Sequence, residues 1–147
     1  MKSKQLNILL ADDDADDCRF FKSALEKLTL STHLTTVNDG EQLMQLLTNE
    51  KSELPDVIFL DLNMPRKNGT ECLSEIMHNE KLKLLPVVIF STSYARETME
   101  MLFKSGAHVY IRKPGNFEQL QEVIHHALPL VTERISAGSP VKYILNA

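Results

Sequence analysis

Four side chains far apart in the chain share one local setting. Asp12 and Asp13 follow the apolar run at residues 6–10, Asp61 follows the run at 57–60, and Lys113 with Pro114 follows the run at 109–111. An acidic pair, a lone carboxylate and a lysine, each past the carboxyl end of a predicted strand, are the parts of a pocket that holds a metal ion and a phosphoryl group. Three carboxylates brought close together repel, which raises at least one pKa unless a cation neutralises them. Hard oxygen donors of this kind suit Mg2+, which keeps several waters and is shared between one or two carboxylates and a phosphate.

The elements that must position these groups are legible as an alternation. β-rich apolar runs lie at residues 6–10, 34–37, 57–60, 87–90 and 109–111. Between and after them apolar residues recur at helical spacing: Phe21, Leu25 and Leu28; Leu43, Leu46 and Leu47; Leu73, Ile76 and Met77; Met99, Leu102 and Phe103; Phe117, Leu120, Ile124, Ala127 and Val131. The unit βα therefore occurs five times. The third and fourth runs are continuously apolar, and the first is so but for Asn7, as parallel strands covered on both faces are. Right-handed crossovers between such units give an α/β, doubly wound, five-stranded parallel sheet, a (βα)5 arrangement. Ligands of such sheets bind beyond the carboxyl strand ends, where the winding reverses. In the order 2-1-3-4-5 the first and third strands are neighbours, which brings Asp12, Asp13 and Asp61 together.

Local signals agree. Asp14 is placed to cap the first helix, with Asp16 and Asp17 in its first turn favoured by the helix dipole. Pro55 and Pro86 precede strands, where a missing amide costs least. Pro129 is expected to end or kink the last helix, residues 136–140 to form a turn, and residues 141–147 to form a short tail. The expected organisation is one domain over residues 1–135 and a tail over 136–147, with no output domain.

Composition excludes several functions. The 147 residues are 43% hydrophobic and 24% charged, and no apolar run approaches the ~20 residues of a membrane span. The apolar part of the first ten residues is too short for a signal peptide, so the expected compartment is the cytoplasm. A net charge of -4 without a Lys/Arg cluster leaves no footprint for direct nucleic-acid binding. Cys18 and Cys72 form no CxxC pair and are expected as reduced thiols on helix faces. His125 and His126 are adjacent and point about 100° apart on a helix, unlike the i, i+4 pair that shares a transition metal.

The strings ILLADDD, DVIFLDLNMPRKNG, LPVVIFSTS and GAHVYIRKP, in this order, resemble the receiver domain of two-component response regulators, a flavodoxin-like domain. The resemblance runs from about Leu6 to about Val131. It implies that Asp61 is the phosphoacceptor, attacking a phosphohistidine to form an acyl phosphate. Asp12 and Asp13 are then the acidic metal pair for Mg2+ (or Mn2+), with Asp61 and the backbone carbonyl of Asn63 as further ligands. Ser91, 30 positions after Asp61, stands where the family has its Ser/Thr switch residue, and Lys113 follows 22 positions later. Tyr110 holds the aromatic switch position on the fifth strand. Asn63 and Ser93, two positions beyond Asp61 and Ser91, stand where the family tunes the lifetime of the phosphoryl group. The family also implies a cis bond before Pro114. Gly115 is less usual there and is expected to loosen the loop into the last helix.

The implied protein is a stand-alone response regulator, catalysing only its own phosphorylation and dephosphorylation. Its partners would be a sensor histidine kinase or phosphotransfer protein and a downstream protein target on the face of the fourth helix, fifth strand and fifth helix. Homodimerisation is left open. Two competitors are a Mg2+-dependent phosphatase with an aspartyl nucleophile and a phosphorylation-independent binding module that kept the fold. The phosphatase wants a second aspartate two positions after the first, where this chain has Asn63. The binding module usually lacks the acidic pair, acceptor or lysine, and all are present here.

Overall fold

The computed structural model describes residues 5–92, 95–135 and 143–145. Its elements are β1 (Leu6–Ala11), α1 (Ala15–Glu26), β2 (Thr32–Val37), α2 (Gly40–Thr48), β3 (Val57–Leu60), α3 (Gly69–Met77), β4 (Val87–Ser91), α4 (Arg96–Lys104), β5 (Val109–Arg112) and α5 (Phe117–Pro129). A π-helical turn (Leu130–Ile135) and β6 (Tyr143–Leu145) follow. The strands stand in the order β2-β1-β3-β4-β5-β6, and every pairing is parallel. The five strands predicted from the sequence are all present in the predicted order.

Burial explains why the apolar runs become these strands. Every residue of β3 and β4 is buried, as is β1 from Ile8 onward, while β2 on the edge is only partly covered. Alternate residues point to opposite faces of the sheet. Ile8, Leu10, Phe59, Val88 and Phe90 pack with Phe21 and Leu25 of α1 and Leu120 and Ile124 of α5. On the other face Leu9, Ile58, Leu60 and Ile89 pack with Leu43 of α2, Leu73 and Ile76 of α3, and Met99 and Leu102 of α4. Phe21, Phe59 and Phe90 form an edge-to-face cluster with centroids 4.9 to 6.3 Å apart, placed beneath the carboxyl ends of β3 and β4. It makes a stiff floor for whatever lies above.

The helix signals are realised one by one. Asp14 caps α1, its carboxylate accepting from the backbone N–H groups of Asp16 and Asp17 at 2.9 and 3.2 Å. Asp14→Ala should therefore lower stability by about 1 kcal/mol in urea unfolding, with Asp14→Asn close to wild type. Pro129 is the last residue of α5. Lacking the N–H that an α-helix needs, it is followed by the wider π turn, which keeps Val131 buried against the α1/α5 core.

The sheet is one strand wider than the sequence indicated. Within the region expected as a tail, Tyr143–Leu145 pairs with Val109–Ile111 of β5. Three residues are too few to show a hydrophobic period. The turn expected at 136–140 lies outside the described residues. Among the described residues, no helix is long and apolar enough to cross a membrane.

Candidate functional site

The parallel ladder itself places the reactive side chains. Just past each strand end the next backbone N–H makes one more rung: Asp12 N–H to the carbonyl of Val37 (3.0 Å), Asp61 N–H to Ala11 (3.0 Å), and Lys113 N–H to Ser91 (2.8 Å). Each main chain is thereby pinned to its neighbour where the strand stops and the loop begins. The ligand atoms of Asp12, Asp13 and Asp61 all lie within 4.8 Å of one another. Asp12 and Asp61 are buried and Asp13 is exposed at the mouth. The four residues singled out first in the sequence do converge.

Lys113 enters this cluster from β5. Its Nζ lies 2.8 Å from Asp12 Oδ2, 2.9 Å from Asp17 Oδ2 and 3.5 Å from Asp61 Oδ2, with the Phe90 ring centroid 5.5 Å away. Burial alone would lower its pKa, but the close contacts with Asp12 and Asp17 and the charges of Asp12 and Asp61 outweigh that and raise it. The lysine stays charged. The bond before Pro114 is not cis, contrary to the family expectation, since no described peptide bond is. Lys113 is aimed inward instead by its ladder rung and its ion pairs.

Burial pushes Asp61 up to about 6; Lys113 works against this, Asp12 adds to it, and the backbone amides of Leu62 and Asn63 partly offset it. Like-charge repulsion, the cause read from the sequence, is present but secondary to desolvation. Asp12 is likewise raised by burial, against the pull of Lys113 and of the Asp14 N–H donated to its Oδ1 at 2.9 Å. Asp12 Oδ2 is fully buried and makes no well-directed hydrogen bond, so only the ammonium answers its charge. A buried, under-satisfied carboxylate oxygen facing two further carboxylates fits a hard divalent cation. Burial, reinforced by Asp12 and Asp17, also pushes the Cys18 thiol up to about 11, which makes a reactive thiolate unfavourable beside the site.

The loop after Asp61 is locked from both sides. Asn68 and Glu71 form a capping box at the start of α3, and the Gly69 N–H donates to the Leu62 carbonyl at 2.9 Å. Arg66 is held at φ 68°, a left-handed conformation costing a non-glycine residue roughly 1 kcal/mol, with its guanidinium 3.6 Å from Asp39 and 3.8 Å from Glu41. Gly40 of α2 sits so close to the same loop that a Cβ there would meet the Lys67 carbonyl oxygen at 2.1 Å. Asn63 itself is exposed, two residues beyond the acceptor.

Ser91 is fully buried at the end of β4, and Tyr110 is fully buried on β5, paired in register with Ile89. Tyr110 packs with Leu60, Met99, Leu102 and Ala107, on the α4 side of the sheet. Ser93 lies outside the described residues. Asp17 was not recognised from the sequence as a partner of Lys113; its place in the first turn of α1 explained it as a dipole partner alone. A cleft of about 370 Å³ opens between α1 and the β5–α5 loop, lined by Asp17, Phe20, Phe90, Lys113, Asn116 and Leu120.

A parallel doubly wound sheet that gathers three carboxylates and a half-buried lysine beyond its carboxyl strand ends defines a class of α/β proteins whose donor set suits a cation beside an anionic group. Within that class, the family model of the response regulator receiver domain matches residues 8–125, and the chain belongs to that family. It is 33% identical over 121 residues to the response regulator Rcp1 of Synechocystis sp., covering 80% of this chain and 82% of Rcp1. The crystal structure of the Mn2+-bound form of Rcp1 superposes with a TM-score of 0.80 at 31% identity, over 88% of this chain and 96% of that one. The phosphorylated cyanobacterial phytochrome response regulator RcpA gives a TM-score of 0.82 at 31% identity over the same shares.

Proposed function

We propose that this chain accepts a phosphoryl group on Asp61 from the phosphohistidine of a sensor histidine kinase or phosphotransfer protein, and that the phosphorylated form signals by protein contact. The observation that carries the reading is the convergence of three carboxylates within 4.8 Å with the Lys113 ammonium set against two of them. Asp12, Asp13 and Asp61, with the backbone carbonyl of Asn63, would hold Mg2+ (or Mn2+), supplying charge neutralisation for the transferring group. That two similar regulators were obtained as a Mn2+-bound form and in a phosphorylated form supports this use of the same fold.

The chain's own residues account for the rest. An Asp61 oxygen attacks phosphorus, a P–O bond forms as the P–N bond to histidine breaks, and the imidazole keeps that electron pair and takes a proton. Asp61 must be ionised to attack, and above pH of about 6 it is. Lys113, a compact point charge already beside the acceptor, pairs with a phosphoryl oxygen. Ser91, buried at the end of the strand beside β3, donates its hydroxyl to another. Ser91 and Tyr110 together bias the face of α4, β5 and α5 between two existing states, and Asn63 and Ser93 govern access of the hydrolytic water.

Incubation with acetyl phosphate and Mg2+ tests the reading. The expected product carries one phosphoryl group per chain, is cleaved by hydroxylamine as an acyl phosphate is, and does not form with chelator present. Steady release of phosphate from an added phosphomonoester would instead indicate a phosphatase, and neither label nor release would indicate a binding module.

A further inference from the structure

Of the three carboxylates around the Lys113 ammonium, the phosphoacceptor is the most distant. Asp12 and Asp17 lie at 2.8 and 2.9 Å, Asp61 at 3.5 Å. Beyond its place in the dipole of α1, Asp17 has no part in the phosphoacceptor reading. It stands on the first turn of α1, its own N–H donated to the Asp14 cap, and reaches across to a residue 96 positions away. Its neighbour Asp16, with the same charge in the same turn, pairs with exposed Arg19 instead. Service to the helix dipole explains both aspartates equally well; only Asp17 is turned to Lys113.

We propose that Asp17 is a positioning residue that retains the Lys113 ammonium on α1 and so opposes occupation of the site by a phosphoryl group. The inference rests on the phosphoacceptor reading of Asp61. Two effects act with the same sign. An oxygen of the incoming group must share Lys113 with Asp17, and Asp17 adds a negative charge one ammonium away from a dianionic group. Filling the metal site engages Asp12, which leaves Asp17 as the competitor that remains. Because the Asp17 side chain is 34% exposed, water screens the pair and the opposition is modest. The cleft that opens on Asp17 and Lys113 gives the ammonium room to leave one partner for another.

The test uses the full chain with Mg2+ and beryllofluoride, a phosphoryl mimic, titrated by amide NMR. Asp17→Asn should bind beryllofluoride roughly threefold to tenfold more tightly than wild type, and the gain should shrink as ionic strength rises. Asp16→Asn, which removes the same formal charge from the same turn, should stay within about twofold, and Asp17→Glu should restore wild-type affinity. In the metal-free protein the Lys113 13Cε resonance should move in Asp17→Asn and hold in Asp16→Asn. Unchanged or weaker binding by Asp17→Asn, or an equal gain in Asp16→Asn, overturns the proposal while leaving the receiver reading intact. Absence of binding by the wild type overturns both.

Discussion

Asp61→Asn should abolish the acyl phosphate and at the same time make the metal-free protein more stable at pH 8. The amide oxygen is no nucleophile, so label from acetyl phosphate should fall to background. The gain in stability follows from where the carboxylate sits. Asp61 is 5% exposed, and its pKa rises on folding from near 4 to about 6, burial being the main cause. The folded state therefore binds more protons than the unfolded chain between those values, and stability falls as pH rises through that window. Above it, ionised Asp61 costs the fold about 1 to 3 kcal/mol, Lys113 answering part of the charge. Asparagine removes that cost and can still accept from the amides of Leu62 and Asn63. Urea unfolding of both proteins at pH 4 and pH 8 measures it: near-equal midpoints at pH 4, a higher midpoint for Asp61→Asn at pH 8. Mg2+ should close the gap by stabilising the wild type, about 2.7 kcal/mol at a hundredfold excess over its Kd. A variant no more stable than wild type at pH 8 would show that the acceptor's charge is already fully compensated in the resting protein.

Gly69→Ala should damage both stability and chemistry, although Gly69 touches no reactant. A Cβ there would lie 2.2 Å from the Asp61 carbonyl oxygen and 2.8 Å from the Leu62 Cα, and both are backbone that cannot rotate aside. Relief requires α3 to withdraw from the end of β3, breaking the bond from the Gly69 N–H to Leu62 and loosening the capped loop. The expected loss is about 2 to 3 kcal/mol in urea unfolding. Where the variant remains folded, the rate of acetyl phosphate labelling should fall by about tenfold, because misplacement of an acceptor by a fraction of an ångström degrades attack geometry. Gly115, with nothing within 4 Å of its position, is the matched contrast: alanine there should be neutral or slightly stabilising. An unfolding free energy for Gly69→Ala within about 0.5 kcal/mol of wild type, a change typical of neutral surface substitutions, would contradict this account.

The contrast between these two residues shows what a sequence carries. Asp12, Asp13, Asp61 and Lys113 were legible because each follows an apolar run, and a buried parallel strand announces itself by continuous hydrophobicity. The order of strands followed from the handedness of their connections and the family resemblance. The role of Gly69 was not legible, since a glycine after a turn asparagine has an ordinary local reason to be there, and the clash lies with a chain segment fixed only by tertiary packing. Asp17 was hidden differently. Its local explanation was correct and complete, and nothing in its spacing revealed a second partner across the sheet. Arg66 at positive φ had no signal either, as most arginines avoid that conformation. β6 escaped because its three residues gain their place from pairing, not from a pattern of their own.

That added strand changes what a visitor finds on this side of the molecule. Along Val109–Ile111 the outward main-chain groups are already paired with Tyr143–Leu145, so a polypeptide arriving there meets β6 and not β5 as the outer strand of the sheet. Among the described strands, β2 and the three-residue β6 stand at the two edges of the sheet, and the margin of β2 is lined by Thr32, His33, Thr35 and Thr36. On the β5 side a visiting strand thus has only the three peptide units of β6 to extend, half the length of the margin that β2 offers at the opposite edge.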